Sequence, residues 1–446
     1  MSKLIGNRIP VRGKSGCEFY TLLRSAPRSA HELTAIDLFC GAGGLTLGLM
    51  NAGFDVRLGS DSSEACGATH SQNFPPVPFH LGDIRTLSPQ TLLKKTGLRA
   101  GELDVLAGGP PCQGFSIIGE RNLSDPRNAL FRAYLEIART TRPKAIVMEN
   151  VTGLATMRRG AVLRDIAVAF EKIGYTVSCA ELLAAQYGVP QMRWRLIFIG
   201  WRNDGHGHLK HCGFPQPTHG DGNIGDLLPN RTITQAESAQ FLTTFDAISD
   251  LPKLGIGQQS HVYAGKPTTP YQTAMRSGLR QELYNHYAPN ISDLNVQRIA
   301  ALRPGQDWRD LPHDLLTAGL RRALRKDHTR RYRRMTWDGV PRSIITKFRD
   351  PKSGEYSHPD QDRTISIREA ARIQSFPDWF EFCGSNSDQY EQVGNAVPPL
   401  LGRAVGHALR AALIGGDHST LPPRSRYRIP SLEATLFPDA ADEVLA

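Results

Sequence analysis

The sequence predicts an α/β fold with a smaller, irregular region set towards its C-terminal side. Two observations carry that prediction. Residues 31 to 200 alternate short apolar runs with helix-like stretches, the rhythm of strands joined by crossover helices. From about 201 to 360 the rhythm fades, and Pro, Gly, Asn and Thr become frequent. The expected strands are "TAIDLFC", "DVRLGS", "VPFHLGD", "LDVLAGG", "KAIVMEN", "TVSCAELLA" and "RLIFIGW". In open α/β sheets the ligand crevice lies beyond the carboxyl ends of the strands. Asp61, Asp83, Cys112 and Glu149 all fall at or just past such ends. "SIREAARIQSF" (366 to 376) reads as a helix whose Ser366 and Glu369 fit a capping box, and "PPLLGRAVGHALRAAL" (398 to 413) as another with prolines at its start. Residues 361–415 are expected to return to the α/β domain, with 1–30 and 416–446 as appendages.

A chain of 446 residues can bury a large core. Its formal charge of +10 favours a polyanionic partner. The first residues lack the apolar stretch of a secretory signal, and no apolar run reaches membrane-spanning length, so a cytoplasmic protein without membrane contact is expected. Seven scattered cysteines without a C-x-x-C pair argue against disulfides and common zinc sites. The cluster "HGHLKHC", with His206, His208, His211 and Cys212, sits among glycines and reads as a loop; no metal is expected.

"DLFCGAGGLTLGL" (37 to 49) leaves a strand and opens a helix, with Gly41, Gly43 and Gly44 at the turn. Asp61 follows about 20 residues later, where an acid for ribose hydroxyls is expected. A dehydrogenase would show G-x-G-x-x-G with amides aimed at a pyrophosphate. Here the pattern is G-x-G-G, and an aromatic, Phe39, sits inside the turn. S-adenosylmethionine carries no phosphate; it needs an adenine platform, a ribose acid and a polar pocket for its amino-acid end. Phe39, Asp61 and Asp83 suit that list, so a methyl donor is preferred to a dinucleotide.

A further block, "GGPPCQGFS" (108 to 116), sets a thiol after two prolines. Taken alone, Cys112 is more often a buried small hydrophobe than a nucleophile. Together with "DLFCGAGG", "LGD", "MENV", "QYGVPQMRWRLIFIG", "RTISIREAARIQSFPDWF" and "QVGNAVPPLLGRAV", in that order, it makes the chain resemble the DNA (cytosine-5)-methyltransferases from about residue 34 to 413. The resemblance implies a Rossmann-like, S-adenosylmethionine-dependent methyltransferase domain (31–200) with a smaller, irregular target recognition domain (201–360).

The roles the resemblance implies are specific. Phe39 stacks on the adenine, Asp37 and the glycines Gly41, Gly43 and Gly44 belong to the cofactor loop, and Asp61 binds the ribose. Asp83 and Ile84 read the adenine, and Asn395 with Ala396 closes the pocket. Cys112 is the nucleophile, shaped by Pro111, with Glu149, Asn150, Arg193 and Arg195 around the base. Ser62 departs from the pattern, standing where many relatives carry a larger apolar or aromatic side chain. That leaves the packing on one side of the cofactor open.

The chemistry explains these residue types. Carbon 5 of cytosine is a poor nucleophile until a thiolate adds to carbon 6 and makes the ring an enamine. Cysteine is nucleophilic enough to add and can leave afterwards. A protonated carboxyl at Glu149 can donate to the ring nitrogen. Arg195 can hold that carboxyl by charge-assisted hydrogen bonds. The base has to leave the stack first. "SIIGERNLSDPRNALF" (116 to 131) then reads as a loop that could close over DNA.

Residues 321 to 334, "RRALRKDHTRRYRR", hold eight Arg or Lys and one Asp. Such runs are usually solvated faces, but this one is placed for phosphate contact through Arg330, Arg331, Arg333 and Arg334. "MTWDGVPRSIITKF", with Trp337 and Thr346, is expected to reach base edges. The expected partner is double-stranded DNA, bound by a monomer, with S-adenosylhomocysteine as the product and a restriction endonuclease as a functional counterpart. The rivals are an RNA cytosine-5 methyltransferase and a catalytically idle DNA-binding relative. Relatives acting on transfer RNA typically carry a Cys-Phe-Thr tripeptide that is missing here. An amino-nitrogen methyltransferase would carry Asp/Asn-Pro-Pro-aromatic where this chain reads Pro-Pro-Cys.

Overall fold

The computed structural model describes residues 11–12, 18–19, 33–111, 128–206, 209, 213–220, 240–277, 282–322 and 330–415. Cys112, most of the 116–131 loop, His208, His211, Cys212, residues 323–329 and the 416–446 tail lie outside the described residues.

All seven expected strands form one sheet. They are β1 (Thr34–Leu38), β2 (Asp55–Asp61), β3 (Phe79–Leu81), β4 (Val105–Gly108), β5 (Ala145–Asn150), β6 (Tyr175–Leu183) and β7 (Trp194–Arg202). Their spatial order is β3-β2-β1-β4-β5-β7-β6. The first five run parallel, and β7 lies antiparallel between β5 and β6. The strand order reverses at the β1/β4 junction, which opens a crevice at the carboxyl edge of the sheet.

Every residue of β1 is buried, as expected of a central parallel strand covered on both faces. Ala35 enters one core while Ile36 and Leu38 enter the other, following the two-residue period. The Ile36 face is covered by α3 (Pro89–Thr96), α4 (Ala129–Thr141) and α5 (Ala161–Glu171), whose Leu92, Phe131 and Ile166 pack there. The Ala35 face carries α1 (Gly44–Asn51), and α2 (Glu64–Asn73) ends beside it at Phe74. The same core takes in Ile248, Met335 and Ile344 from the irregular region and α6 (Ile367–Ile373), α7 (Asn386–Asn395) and α8 (Pro399–Leu413) from the C-terminal segment.

Helices α1 and α8 touch backbone to backbone. A Cβ on Gly48 would lie 2.6 Å from the Arg403 nitrogen, and one on Gly406 would lie 2.6 Å from Ala52 Cβ. The α6 capping box forms as expected: Glu369 N–H donates to Ser366 Oγ at 3.1 Å and Ser366 N–H donates to Glu369 Oε2 at 2.7 Å. A satellite core of Leu302, Trp308, Leu311, Leu316, Leu320 and Tyr332 holds the outer part of the irregular region.

Candidate active site at the strand ends

A cleft of about 910 Å³ lies at the carboxyl edge of β1, β2, β4 and β5. Asp37, Phe39, Gly41, Asp61, Asp83, Ile84, Pro111, Glu149, Asn150, Asn395 and Ala396 all line it. Residues spread over about 360 positions of sequence therefore meet in one space.

The loop after β1 is bent sharply. Phe39 sits at φ 58°, in the left-handed region that aromatic residues rarely adopt, and Gly41 follows at φ 55°. Such a conformation persists where surrounding structure imposes it, often at a ligand clamp. Here Asp61 Oδ2 accepts from Gly41 N–H at 3.0 Å and Cys40 N–H donates to Ser60 O at 3.0 Å, while Asp61 Oδ1 accepts from Ser63 N–H at 3.0 Å. Each carboxylate oxygen keeps a free lone pair for a hydroxyl in the cleft.

Gly43 and Gly44 require a correction, because neither lines the cleft. A Cβ on Gly43 (φ 98°) would sit 2.4 Å from the Phe74 ring, and one on Gly44 would sit 2.2 Å from Val397 O. These glycines let the protein pack on itself. Only Gly41, with nothing within 4 Å of its would-be Cβ, is open to a ligand.

Asp37 is fully buried at the end of β1. Thr46 Oγ1 donates to its Oδ2 at 2.7 Å, and Oδ1 has no partner among the described residues. Burial pushes its carboxyl up to about 7. Asp83 behaves in the opposite way. It caps the turn Ile84–Thr86 and pairs with the Arg85 guanidinium, whose hydrogen bonds hold its carboxyl down at about 2.

At the other end of the cleft Glu149 Oε1 and Arg195 Nε lie 2.6 Å apart, with both side chains mostly buried. Arg195 also donates to Trp194 O at 2.7 Å, which fixes the plane of the guanidinium. Asn150 donates from Nδ2 to Pro110 O at 3.1 Å, tying the Pro-Pro turn to the end of β5. A Cβ on Gly109 would lie 3.3 Å from Glu149 Oε2, so glycine there lets the turn come close to the carboxylate. Pro111, the residue before Cys112, lines the cleft beside them.

Arg193 does not join this group. It is 1% exposed and donates to Ile344 O at 2.6 Å, Ser343 Oγ at 3.3 Å, Gly394 O at 2.9 Å and Ala396 O at 3.0 Å. Its expected place around the base is corrected to a positioning role, since its terminal nitrogens serve the protein's own oxygens.

The expected phosphate track is also revised. Arg334 is buried and donates to the carbonyls of His358, Pro359, Ile299 and Leu302, and it pairs with Asp362 at 3.0 Å. It braces the fold, with its donors turned to the protein's own oxygens. Arg330 and Arg333 both reach Glu355 Oε2, at 3.5 and 3.2 Å, and stay partly exposed. Arg331 is half-buried. Trp337 is half-buried, edge-on to Phe245 at 6.1 Å and to His358 at 5.5 Å, and so contributes packing as well as surface. Thr346 is half-buried with its backbone against Gly394, while its neighbour Ile345 is 40% exposed.

Several site residues escaped the sequence reading. Asp388, Glu391 and Gln392 on α7 line the cleft with Phe39 and Asp61, and their spacing of three and four along a helix was the available signal. Among the described residues no group of three or more His, Cys, Asp or Glu could hold a metal ion, and no helix is long and apolar enough to cross a membrane.

Strand order, the bent loop and the carboxylate–guanidinium pair define a Rossmann-like methyltransferase site. Residues 33–411 match the C-5 cytosine-specific DNA methylases, and the chain belongs to that family of enzymes, which is S-adenosylmethionine-dependent in general. It is 35% identical over 435 residues to the Type II methyltransferase M.AgeI of Thalassovita gelatinovora, covering 85% of this chain and 100% of that one. It is 36% identical over 381 residues to the Type II methyltransferase M1.HphI of Haemophilus parahaemolyticus, covering 85% and 87%. Its fold is similar to that of a candidate DNA modification methyltransferase encoded within an E. coli prophage, with a TM-score of 0.63 and 23% identity over 86% of this chain and 100% of that one.

Proposed function

We propose that this enzyme methylates carbon 5 of a cytosine flipped out of double-stranded DNA, within a sequence read by residues 201–360, through a covalent Cys112 adduct. The observation that carries the reading is the Glu149–Arg195 pair, held beside Pro111 in the same cleft as Phe39 and Asp61. S-adenosylmethionine fits the cleft's lining: Phe39 for the adenine, Asp61 for the ribose and Asp37 Oδ1, which has no partner among the described residues, for a hydrogen-bond donor. When bound, it supplies an electrophilic methyl group on a sulfonium.

The protein's own groups do the rest. Arg195 orients Glu149, whose protonated carboxyl donates a hydrogen bond to the ring nitrogen as the Cys112 thiolate adds to carbon 6. The electron pair moves to carbon 5, which takes the methyl group. A base then removes the carbon 5 proton, the ring double bond re-forms and Cys112 leaves as thiolate. Phosphate contacts from Arg330, Arg331 and Arg333 position the duplex, and the segment around Trp337 and Thr346 reads it. The two Type II relatives support pairing with a restriction endonuclease.

Cys112→Ser tests the mechanism. Methyl transfer should vanish while S-adenosylmethionine binding, measured by calorimetry, persists. Duplexes with 5-fluorocytosine at the site, which bisulfite sequencing of DNA from expressing cells would identify, should trap a denaturation-resistant adduct because fluorine blocks the final elimination. Turnover by the mutant within about tenfold of wild type, or no adduct, would sink the covalent mechanism.

A further inference from the structure

The segment 341–346 is gripped from one side by the turn that precedes β7. Met192 N–H donates to Pro341 O at 2.8 Å. Gln191 Oε1 accepts from Ile344 N–H at 2.8 Å, and Arg193 Nη1 donates to Ile344 O at 2.6 Å. The Ile344 residue is thus held at both its donor and its acceptor. The other arm of the same guanidinium, Nη2, holds Gly394 O and Ala396 O. Those carbonyls flank Asn395, and Asn395, Ala396 and Val397 form a wall of the cofactor cleft. The two segments also meet directly, because a Cβ on Gly394 would lie 2.4 Å from Thr346 N.

Arg193 is an energetically demanding way to make that join. It is fully buried, and among the described residues its Nε has no hydrogen-bond partner and no carboxylate pairs with it. Burial and the nearby Arg195 hold its guanidinium well below the ordinary value. An apolar side chain of similar volume would commonly fill such a site at lower cost. What an apolar side chain lacks is a rigid planar fork, in which fixing one nitrogen fixes the other.

We propose that Arg193 couples the cofactor pocket to the DNA-reading segment, so that occupancy of the cleft tightens the grip on target DNA. A ligand against Asn395 and Ala396 holds their loop in place, the carbonyls hold Nη2, and Nη1 sets the position of Ser343 to Thr346. By linkage the effect is reciprocal: target DNA tightens cofactor binding by the same factor. The inference rests on the proposed roles of the two segments.

The test measures the affinity of a duplex carrying the methylated site with and without saturating S-adenosylhomocysteine, by fluorescence anisotropy. Wild type should bind that duplex roughly 5–150-fold tighter with S-adenosylhomocysteine present. Arg193→Lys keeps a buried cation but cannot span both sets of carbonyls. Its coupling, the ratio of the two duplex affinities, should drop to within about twofold of unity whatever the change in either affinity alone. A merely structural arginine would lower melting temperature or both affinities and leave their ratio unchanged. If Arg193→Lys does not fold, Ser343→Ala, which removes only the 3.3 Å bond, should cut the coupling at least about twofold. Wild-type coupling in the folded variant, or no coupling in wild type, overturns the inference. Failure of wild type to bind either ligand would overturn the functional reading instead.

Discussion

The strand-end cleft and the irregular region use charge in opposite ways. In the cleft, carboxylates sit on the ends of parallel strands whose backbone bonds are already complete, so their oxygens are available to other groups. Asp37 keeps one oxygen without a partner among the described residues, and Asp61 gives one oxygen to Gly41 in the loop after β1 and the other to Ser63 in its own turn. In the irregular region and the C-terminal segment the backbone has few ladder partners. Arginines supply the missing donors. Arg334 serves four carbonyls, and Arg368 donates to the carbonyls of Tyr284, Pro377 and Phe380. Arg372 joins Asp250 to Asp378, and Arg363 takes Glu369 in a bidentate pair at 2.7 Å. Arginine suits the task because it offers five donors in a fixed fork. A basic composition in such a region therefore reports internal bracing as much as affinity for nucleic acid.

The sharpest way to break that contrast is to compare neighbours. Arg334→Ala should destabilise the protein by roughly 3–5 kcal/mol, since it strands buried carbonyls as well as a charge partner. Arg330→Gln with Arg333→Gln should change stability by less than about 1 kcal/mol, as expected for partly exposed ion pairs. That double variant should also flatten the slope of log DNA affinity against log salt, by roughly 0.9 for each phosphate no longer neutralised. Urea unfolding and salt titration decide it: a stable Arg334→Ala protein with weakened DNA binding would return Arg334 to the phosphate track.

Asp37 sharpens the cleft side. Its folded value of about 7 lies above its ordinary 3.8, so between those values the folded state holds more protons than the unfolded chain. Stability should fall as pH rises from about 4 to about 7, by up to about 4 kcal/mol, and level off beyond. Asp37→Asn should remove that dependence. Parallel urea midpoints for the two proteins from pH 5 to 8 would refute a buried neutral carboxyl.

The last test, at Asp61, concerns ligand affinity and not stability. Asp61→Ala should weaken S-adenosylmethionine binding by about 1–3 kcal/mol, measured by calorimetry. Because Asp61 also holds Gly41 N–H, part of that weakening should appear as a less ordered loop. Unchanged affinity would show that the ribose acid lies elsewhere.

What was legible in the sequence follows from the same contrast. A strand end is a fixed address, so Asp61, Asp83 and Glu149 could be placed from apolar runs and the turns that stop them. Arg193 and Arg195 could not be separated that way. β7 begins at Trp194, so Arg193 lies outside the strand and its two-residue period, facing carbonyls from residues 344, 394 and 396. Likewise nothing in "RRYRR" marks its last arginine as the buried one. An irregular segment has no period, and its neighbours Ile299, Leu302 and His358 are set by tertiary structure. Gly43 and Gly44 carried the right signal with the wrong recipient: the close approach they permit is by Phe74 and Val397.

The bare backbone contact between α1 and α8 bears on how the molecule comes into being. A ribosome delivers the chain from the N-terminal end, so β1 and α1 emerge some 350 residues before the helix that covers them. Until then Leu45 and Leu49 lack the apolar surface that buries them in the finished protein. The wall formed by residues 388 to 397 arrives almost as late. A newly made chain thus cannot close the strand-end cleft before residues 388 to 397 have been made.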